Sequence, residues 1–168
     1  MRARYCCQRG DGQVSGSYSA YGDTPMECLA EILWPRIEEV VGASLWPTYS
    51  YYRVYEKGAV LQPHLDRSAC EISATACLSL ELDPTQERSY VWPMWLRRNG
   101  AEPICYGTYP GDMIVYRGCE VQHWREPFLG NLQVQTFVHY VLQEGPNSSE
   151  KFDGRLGLGA PSLGGHWT

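Results

Sequence analysis

The chain has 168 residues, the usual size of one domain and enough to bury a sizeable core. Its 14 basic and 19 acidic residues give a net charge of -5 without any basic block, so no nucleic acid is expected as a partner. No apolar run approaches the ~18 to 20 residues that span a bilayer, and no membrane association is expected either.

The cysteines indicate a reducing environment. No two of the seven form a C-x-x-C pair, and the first residues lack the apolar core of a signal peptide, so we expect a cytoplasmic protein. Most of these thiols are expected to be small buried hydrophobic side chains, because the ligand spacing of a tetrahedral zinc site is missing. They are Cys6, Cys7, Cys28, Cys70, Cys77, Cys105 and Cys119.

The N-terminal stretch shows no sustained period and predicts a strand or two with loops. A helix is predicted next: Thr24 is a good N-cap, Pro25 suits the first helical position, and Glu27 completes a capping box. Apolar residues then recur at helical spacing. Pro35 is expected to kink or divide this helix, and Gly42 to end it.

From Leu45 onward the apolar period changes from about 3.6 to 2 residues, which predicts strands. The first of them would carry Tyr49, Tyr51, Arg53 and Tyr55 on one face. Turn residues separate the later strands, and Asn99-Gly100 is a hairpin signal. These strands are predicted over residues 71–80, 90–96, 102–107, 112–117 and 132–142.

One helical segment followed by many short strands predicts a mainly β (α+β) jelly roll in which the helix packs on one sheet. We expect a single domain over residues 1–168, with its core at about 45–142. The tail, residues 145–168, is rich in Gly, Pro and Ser and is expected to pack little.

A metal site is predicted around residue 64. Residues two apart in a strand project from the same face, so His64 and Asp66 would offer an imidazole and a carboxylate to one point. His123 is well placed to be the third ligand, and His139 is its rival. Two histidines and one carboxylate on one side of an octahedral ion leave positions for a co-substrate and O2, which suits non-haem Fe(II).

The order of landmarks around these residues points to a family. The landmarks are Tyr55-x-x-Gly58-x-x-Leu61-x-x-His64-x-Asp66, then Pro110-Gly111-Asp112, a hydrophobic strand and His123-x-x-x-Pro127. Over about residues 49 to 141 the chain resembles the 2-oxoglutarate and Fe(II)-dependent oxygenases, and the prolyl-hydroxylase branch in particular. The resemblance implies a double-stranded β-helix, Fe(II) held by His64, Asp66 and His123, 2-oxoglutarate as co-substrate, and O2. It also implies hydroxylation of an unactivated C–H bond with release of succinate and CO2, because Asp66 fills a site that related halogenases leave free for chloride.

The chain departs from this family at the co-substrate carboxylate. That group normally meets an Arg or Lys about 9 to 10 residues after the second histidine, as a charge-assisted contact. Residues 130–135 contain no cation here. Three alternatives are Arg53 from the strand before His64, Arg125 from the loop, or Gln133 together with Tyr55. Arg53 is favoured if its strand face points inward, and it is solvated if that face points outward.

Trp124 and Tyr51 are the candidates for the wall of a substrate pocket, although buried aromatics are most often core residues. The substrate is expected to be an amino acid, a peptide or a small metabolite, and the oligomeric state is not indicated. Two other functions compete. A cupin-type metal dioxygenase without a keto acid would explain the missing cation but is opposed by Asp66, and a metal-free barrel would be a binding module.

Overall fold

The computed structural model of the protein describes residues 8–9, 13–14 and 16–161. Two antiparallel sheets form the body of the fold. The strands are β1 (Gln8–Arg9), β2 (Tyr18–Tyr21), β3 (Leu45–Glu56), β4 (Leu61–His64), β5 (Ile72–Glu81), β6 (Met94–Arg98), β7 (Ile104–Tyr106), β8 (Met113–Tyr116), β9 (Val121–Arg125) and β10 (Leu132–Leu142). The helix α1 is Thr24–Val41, and short 3-10 turns lie at Ser68–Cys70 and within Ser148–Gly154.

The major sheet has the strand order β1-β2-β3-β10-β5-β8, and the minor sheet has the order β4-β9-β6-β7. Their inner faces pack together: Met94 and Leu96 of the minor sheet share a buried cluster with Tyr116 of the major sheet. A second cluster joins Tyr55 of β3 to Leu61 of β4. This is the mainly β jelly roll that the period of the sequence predicts.

Helix α1 lies against the major sheet, as expected. Ala30 and Ile37 are buried against apolar residues of β3, β5 and β10, and Tyr140 donates its hydroxyl proton to the carbonyl of Ala30 at 2.7 Å. Gly42 ends the helix in the left-handed conformation, with φ of 73°. Pro35 does not divide the helix, which runs unbroken through it.

The predicted start of the helix is wrong in its capping. Asp23, not Thr24, is the N-cap residue, and its side chain makes no capping hydrogen bond. Glu27 is no part of a capping box, because its carboxylate is buried and forms an ion pair with Arg155. A buried acid at this point is used in tertiary packing and is not free to cap its own helix.

The tail packs much more closely than expected, at least up to residue 161, where the described part ends. Arg155 binds Glu27 through two contacts of 2.8 and 3.0 Å. Asp153 accepts a hydrogen bond from Arg67 at 2.8 Å, and Glu150 accepts one from Ser68 at 2.7 Å. The C-terminal segment therefore forms ion pairs and hydrogen bonds both with the start of α1 and with the turn that follows β4.

None of the helices in the described part of the chain combines the length and the apolar character that a membrane crossing requires.

Candidate metal centre

His64, Asp66 and His123 come together at the end of β4. His64 is the last residue of β4 and pairs in register with His123 of β9. Asp66 lies beyond the strand end, contrary to the expectation that it shares a strand with His64, and its backbone N–H donates to the Gly118 carbonyl at 3.0 Å. The Nε2 atoms of His64 and His123 lie 3.6 and 3.4 Å from Asp66 Oδ1. The three donor atoms lie within 4.8 Å of one another.

Both histidines are oriented for this arrangement by their own strands. The Nδ1 of His64 donates to the Gln62 carbonyl at 2.8 Å, and the Nδ1 of His123 donates to the Val121 carbonyl at 2.9 Å. A proton on Nδ1 leaves the lone pair of Nε2 available, and such a contact fixes both tautomer and ring orientation of a metal-binding histidine. The site is therefore preset to offer two Nε2 atoms and one carboxylate oxygen.

The protonation states also suit a metal. Burial alone would raise the pKa of Asp66, but its contacts with His123, followed by those with His139 and Ser73, outweigh this effect and lower the pKa to about 2. Burial lowers the pKa of His64, and the neighbouring His123 lowers it further. At neutral pH the site thus presents an ionised carboxylate and a neutral His64, the forms in which these groups bind metals.

His139, the rival third ligand, lies on the other side of Asp66. Its Nδ1 is 3.0 Å from the hydroxyl of Ser73, and its ring packs on Tyr49 at 4.7 Å between centroids. Asp66, Cys70 and His139 form a second group of donor atoms within 4.8 Å of one another. Burial lowers the pKa of His139 to about 4, so the side chain is neutral at pH 7.

Arg53 points into the protein. It is 2% exposed, and its two terminal nitrogens donate to the hydroxyls of Tyr55 and Tyr51 at 3.4 and 3.3 Å and to Gln13 at 3.4 Å. Its face of β3 is therefore the inner one. This is the condition under which the sequence favours Arg53 as the partner of the 2-oxoglutarate carboxylate. Tyr51 shares this face but lies closer to the edge of the interior, because it is only partly buried.

Arg125 is on the inner face of β9 and not in a loop. It is 1% exposed, its Nη1 donates to the Trp92 carbonyl at 2.6 Å, and its guanidinium lies 4.8 Å from the centroid of the Trp92 ring. Its Nη2 is buried and has no hydrogen-bond partner among the described residues. Burial lowers the pKa of Arg125, and the groups that act in the opposite direction are phenols and a thiol.

Gln133 is also fully buried on an inner face. It is opposite Tyr55 in the pairing of β10 with β3. Its Nε2 donates to Gln135 at 2.7 Å, and Gln135 in turn donates to the Thr75 hydroxyl at 2.7 Å. Gln133 Oε1 lacks a partner in the described part of the protein. Arg125 Nη2 and Gln133 Oε1 are thus two buried polar atoms of the barrel interior that have no hydrogen-bond partner among the described residues.

Trp124, a candidate for the wall of a substrate pocket, does not lie at the metal site. Its side chain lies on the outer face of the minor sheet, because alternation along β9 directs it away from the face that carries His123. There it stacks on Trp95 at 6.0 Å with an angle of 10°, and Arg97 lies 5.7 Å from its ring centroid.

Three residues of the site were not identified from the sequence. Ser73 donates to Asp66 Oδ2 at 2.9 Å, Gly118 approaches this carboxylate closely, and the hydroxyl of Tyr116 is 3.5 Å from His123 Nε2. The available signal was the alternation of β5, which places the polar residues Ser73 and Thr75 on one face of the buried first half of this strand.

Comparison with known proteins identifies the fold. No protein-family model matches the chain, and no curated protein matches it by sequence. An oxidoreductase of the 2OG-Fe(II) oxygenase family from Burkholderia pseudomallei superposes with a TM-score of 0.66 at 16% identity, over 82% of this chain and 74% of that one. HygX from Streptomyces hygroscopicus, solved with nickel and 2-oxoglutarate bound, gives 0.60 at 14% identity, over 83% and 75%. A Trichoplax adhaerens prolyl hydroxylase, in complex with a peptide fragment of the hypoxia inducible factor oxygen degradation domain, gives 0.56 at 12%, over 84% and 68%. The chain therefore has the fold of these oxygenases.

Proposed function

We propose that the protein is a non-haem Fe(II) and 2-oxoglutarate-dependent dioxygenase that hydroxylates an unactivated C–H bond. The observation that carries the proposal is the convergence of His64 Nε2, Asp66 Oδ1 and His123 Nε2 in a fold that such oxygenases share. Both imidazoles are oriented through Nδ1, and the carboxylate is ionised. Two nitrogens and one oxygen on one side of an octahedral ion match the preference of non-haem Fe(II).

Bound iron would supply the activation of O2, by which 2-oxoglutarate is oxidised to succinate and CO2 while one oxygen atom enters the substrate C–H bond. The protein residues have simpler tasks. His64, Asp66 and His123 would hold the ion, with His123 buried and His64 and Asp66 partly exposed.

Arg125 is the residue that we assign to the distal carboxylate of 2-oxoglutarate. A buried guanidinium without a carboxylate partner is unfavourable until an anion reaches it. Arg125 Nη2 has no hydrogen-bond partner in the described part of the chain, and Arg125 lies two residues after His123 on the same strand face, about 7 Å along the strand. This position replaces the cation that the stretch 130–135 lacks.

Arg53 is the alternative, and the structure gives it a different environment. It contacts the hydroxyls of Tyr51 and Tyr55, and its guanidinium lies 5.2 and 5.6 Å from their ring centroids. These contacts favour a role for Arg53 in holding Tyr55. Tyr55 packs edge-on to Trp92 at 4.8 Å, and Trp92 lies under Arg125. Arg53 therefore contacts Tyr55, Tyr55 packs against Trp92, and Trp92 packs against Arg125, so that Arg53 and Tyr55 help to position Arg125.

Gln133 would be the second contact of the carboxylate. An amide is symmetric in shape, so the oxygen and nitrogen of Gln133 and Gln135 can be exchanged together. In that arrangement the Thr75 hydroxyl donates to Gln135, Gln135 donates to Gln133, and the NH2 group of Gln133 is left to donate to the ligand. The chain of hydrogen bonds is preserved, and the unpartnered atom becomes a donor.

The substrate belongs to the class of amino acids, peptides or small metabolites. A peptide is supported by the Trichoplax prolyl hydroxylase, whose structure contains one in the same fold. We further propose a single domain over residues 1–168, because α1, both sheets and the C-terminal segment pack on one another. A cytoplasmic location is proposed from the free thiols of the described cysteines, which are Cys28, Cys70, Cys77, Cys105 and Cys119.

The test is the release of succinate. Purified protein supplied with Fe(II), O2 and 2-oxoglutarate should form succinate, at a rate that rises with a panel of amino acids and peptides, and the Asp66→Ala protein should form none. Oxygen consumption without succinate would favour a dioxygenase that uses no keto acid. Protein that binds no metal when purified anaerobically would favour a binding module.

A further inference from the structure

Three polar residues on neighbouring strands of the major sheet form a row directly behind Asp66. His139 of β10 pairs with Ser73 of β5, and Ser73 pairs with Tyr116 of β8. Cross-strand partners share a face of the sheet, so the three side chains project together toward the metal ligands. All three are buried, with Ser73 only 1% exposed.

The two oxygens of Asp66 have separate surroundings. Oδ1 is the oxygen that lies near the Nε2 atoms of His64 and His123. Oδ2 instead accepts a hydrogen bond of 2.9 Å from the Ser73 hydroxyl. The carboxylate is thus divided between a metal-facing oxygen and a protein-facing oxygen.

The direction of the hydrogen bonds follows from counting protons. The Ser73 hydroxyl has one proton and lies within reach of Asp66 Oδ2, the Cys70 carbonyl at 3.1 Å, and His139 Nδ1 at 3.0 Å. The first two groups can only accept. His139 must therefore donate from Nδ1 to the serine oxygen, while the serine proton goes to the oxygens of Asp66 and Cys70.

Gly118 closes this small space. A Cβ atom at Gly118 would overlap Asp66 Oδ2 and the Cys70 carbonyl oxygen and would lie 2.7 Å from Ser73 Oγ. The Gly118 carbonyl also accepts the backbone N–H of Asp66 at 3.0 Å. Oδ2 is therefore packed closely, with Ser73 as its side-chain hydrogen-bond donor among the described residues.

We infer that Ser73 and His139 are positioning residues for the metal ligand Asp66. The chain from His139 Nδ1 through Ser73 Oγ to Asp66 Oδ2 holds the carboxylate so that Oδ1 alone faces His64 and His123. An ion held by a single oxygen of Asp66 would keep a coordination position that a two-oxygen contact would fill, and this position would be open to the co-substrate or O2. This inference rests on the proposed metal centre, and it gives His139 a role other than ligation.

The experiment measures metal affinity, which does not depend on turnover. Co(II) is titrated anaerobically into the wild-type protein and into Ser73→Ala, with binding followed by calorimetry and by the visible spectrum of the bound ion. Partners that orient a ligating carboxylate typically contribute about 10 to 100-fold to metal affinity, so Ser73→Ala should bind Co(II) more weakly by this factor. The visible spectrum should also change, because Asp66 is then free to turn.

Ser50→Ala is the matched control. Ser50 is a fully buried serine of the same sheet, and its hydroxyl has no hydrogen-bond partner in the described part of the chain. Its replacement should leave the Co(II) affinity unchanged. Circular dichroism and thermal unfolding of the metal-free proteins show whether each variant is folded.

A pair of variants at His139 tests the same chain if Ser73→Ala does not fold. His139→Asn keeps an N–H near the position of Nδ1 and should bind Co(II) nearly as the wild type does, while His139→Leu removes the donor and should bind more weakly. The effects of Ser73→Ala and His139→Leu should not add in the double variant, because both break one chain.

The outcomes separate this inference from the proposed function. Wild-type affinity in a folded Ser73→Ala protein, or equal affinities of the two His139 variants, would overturn the positioning role and leave the metal centre intact. A wild-type protein that binds no Co(II) would reject the metal centre and this inference with it.

Discussion

The barrel interior and the junction between α1 and the C-terminal segment each bury an arginine, but in very different surroundings. At the junction, Arg155 meets both oxygens of Glu27 and also donates to the Thr48 carbonyl at 2.9 Å. In the interior, Arg125 has one carbonyl, one aromatic face and an Nη2 without a partner among the described residues. A buried charge with its counter-charge is part of the fold, whereas one that lacks it is better explained by a ligand.

The same contrast applies to the acids. The Glu27 carboxylate binds Arg155 and accepts backbone hydrogen bonds from Ser50 at 3.3 Å and from Gly159. Asp66 uses one oxygen within the protein and turns the other to His64 and His123. We therefore assign Glu27 a role in the stability of the fold and Asp66 a role in metal binding. Separate variants can test each assignment.

The largest effect is expected at the metal ligands. Replacing His64, Asp66 or His123 by Ala should abolish stoichiometric Fe(II) binding and turnover, because three donors are the minimum that this site offers. Anaerobic metal analysis checks this, and Asp83→Ala, which removes a carboxylate from an exposed turn, is the control. Retention of iron by His123→Ala together with its complete loss in His139→Leu would make His139 the third ligand.

The next largest effect is expected on stability at the junction. Arg155→Met leaves Glu27 buried without a counter-charge, so the free energy of unfolding should fall by about 3 to 5 kcal/mol. Urea unfolding of the metal-free protein measures it. Arg36→Met is the matched control, since Arg36 and Glu39 form an exposed pair whose loss should cost about 0 to 1 kcal/mol. Equal losses in both variants would remove the distinction between a paired buried arginine and a surface one.

Arg125→Met should behave in the opposite way. Because it removes an incompletely paired buried cation, the metal-free protein should be at least as stable as the wild type. The affinity of the metal-loaded protein for 2-oxoglutarate should fall by about 1.5 to 3 kcal/mol, or roughly 10 to 150-fold, as a charge-assisted contact is lost. Calorimetry measures this affinity, and Arg53→Met is measured in the same way for comparison. A larger loss of 2-oxoglutarate affinity in Arg53→Met would assign the distal carboxylate to Arg53 instead.

A pH-dependent effect is expected from His139, which is buried and neutral. Its folded-state pKa is about 4, below the ordinary value of 6.5. Between these pH values the unfolded chain binds a proton that the folded chain does not. Stability should therefore fall as the pH is lowered from 6.5 to 4, with up to about 1.4 kcal/mol for each pH unit from this group. His139→Asn should show a flatter dependence in urea unfolding across this window, and an unchanged slope would contradict the assignment.

The sequence was informative where the chemistry depends on residues close together in the chain. The strand period predicted the jelly roll and both ends of β10, and the spacing of His64 and Asp66 led to a cluster that the structure does bring together. His123 was proposed as the third ligand because a turn and a strand precede it in the sequence. The end of α1 at Gly42 was also predicted by a local rule, because Gly42 adopts the left-handed conformation that ends the helix.

What failed depends on tertiary pairing. Glu27 looked like a capping residue because its partner, Arg155, is 128 residues away. The bond between Ser73 and His139 depends on the register of β5 with β10, which the local pattern does not specify. Trp124 was a candidate for the wall of a substrate pocket, but alternation along β9 places it on the face opposite His123.

The measurement that tests the proposed site most directly is the titration of 2-oxoglutarate into the wild-type protein with and without Fe(II), under anaerobic conditions and followed by calorimetry and visible absorption. The expected result is one equivalent of 2-oxoglutarate bound per iron, with a new absorption band, and much weaker binding when the metal or Arg125 is removed. Binding that is independent of both the metal and Arg125, or no binding to the iron-loaded protein, would contradict the proposal.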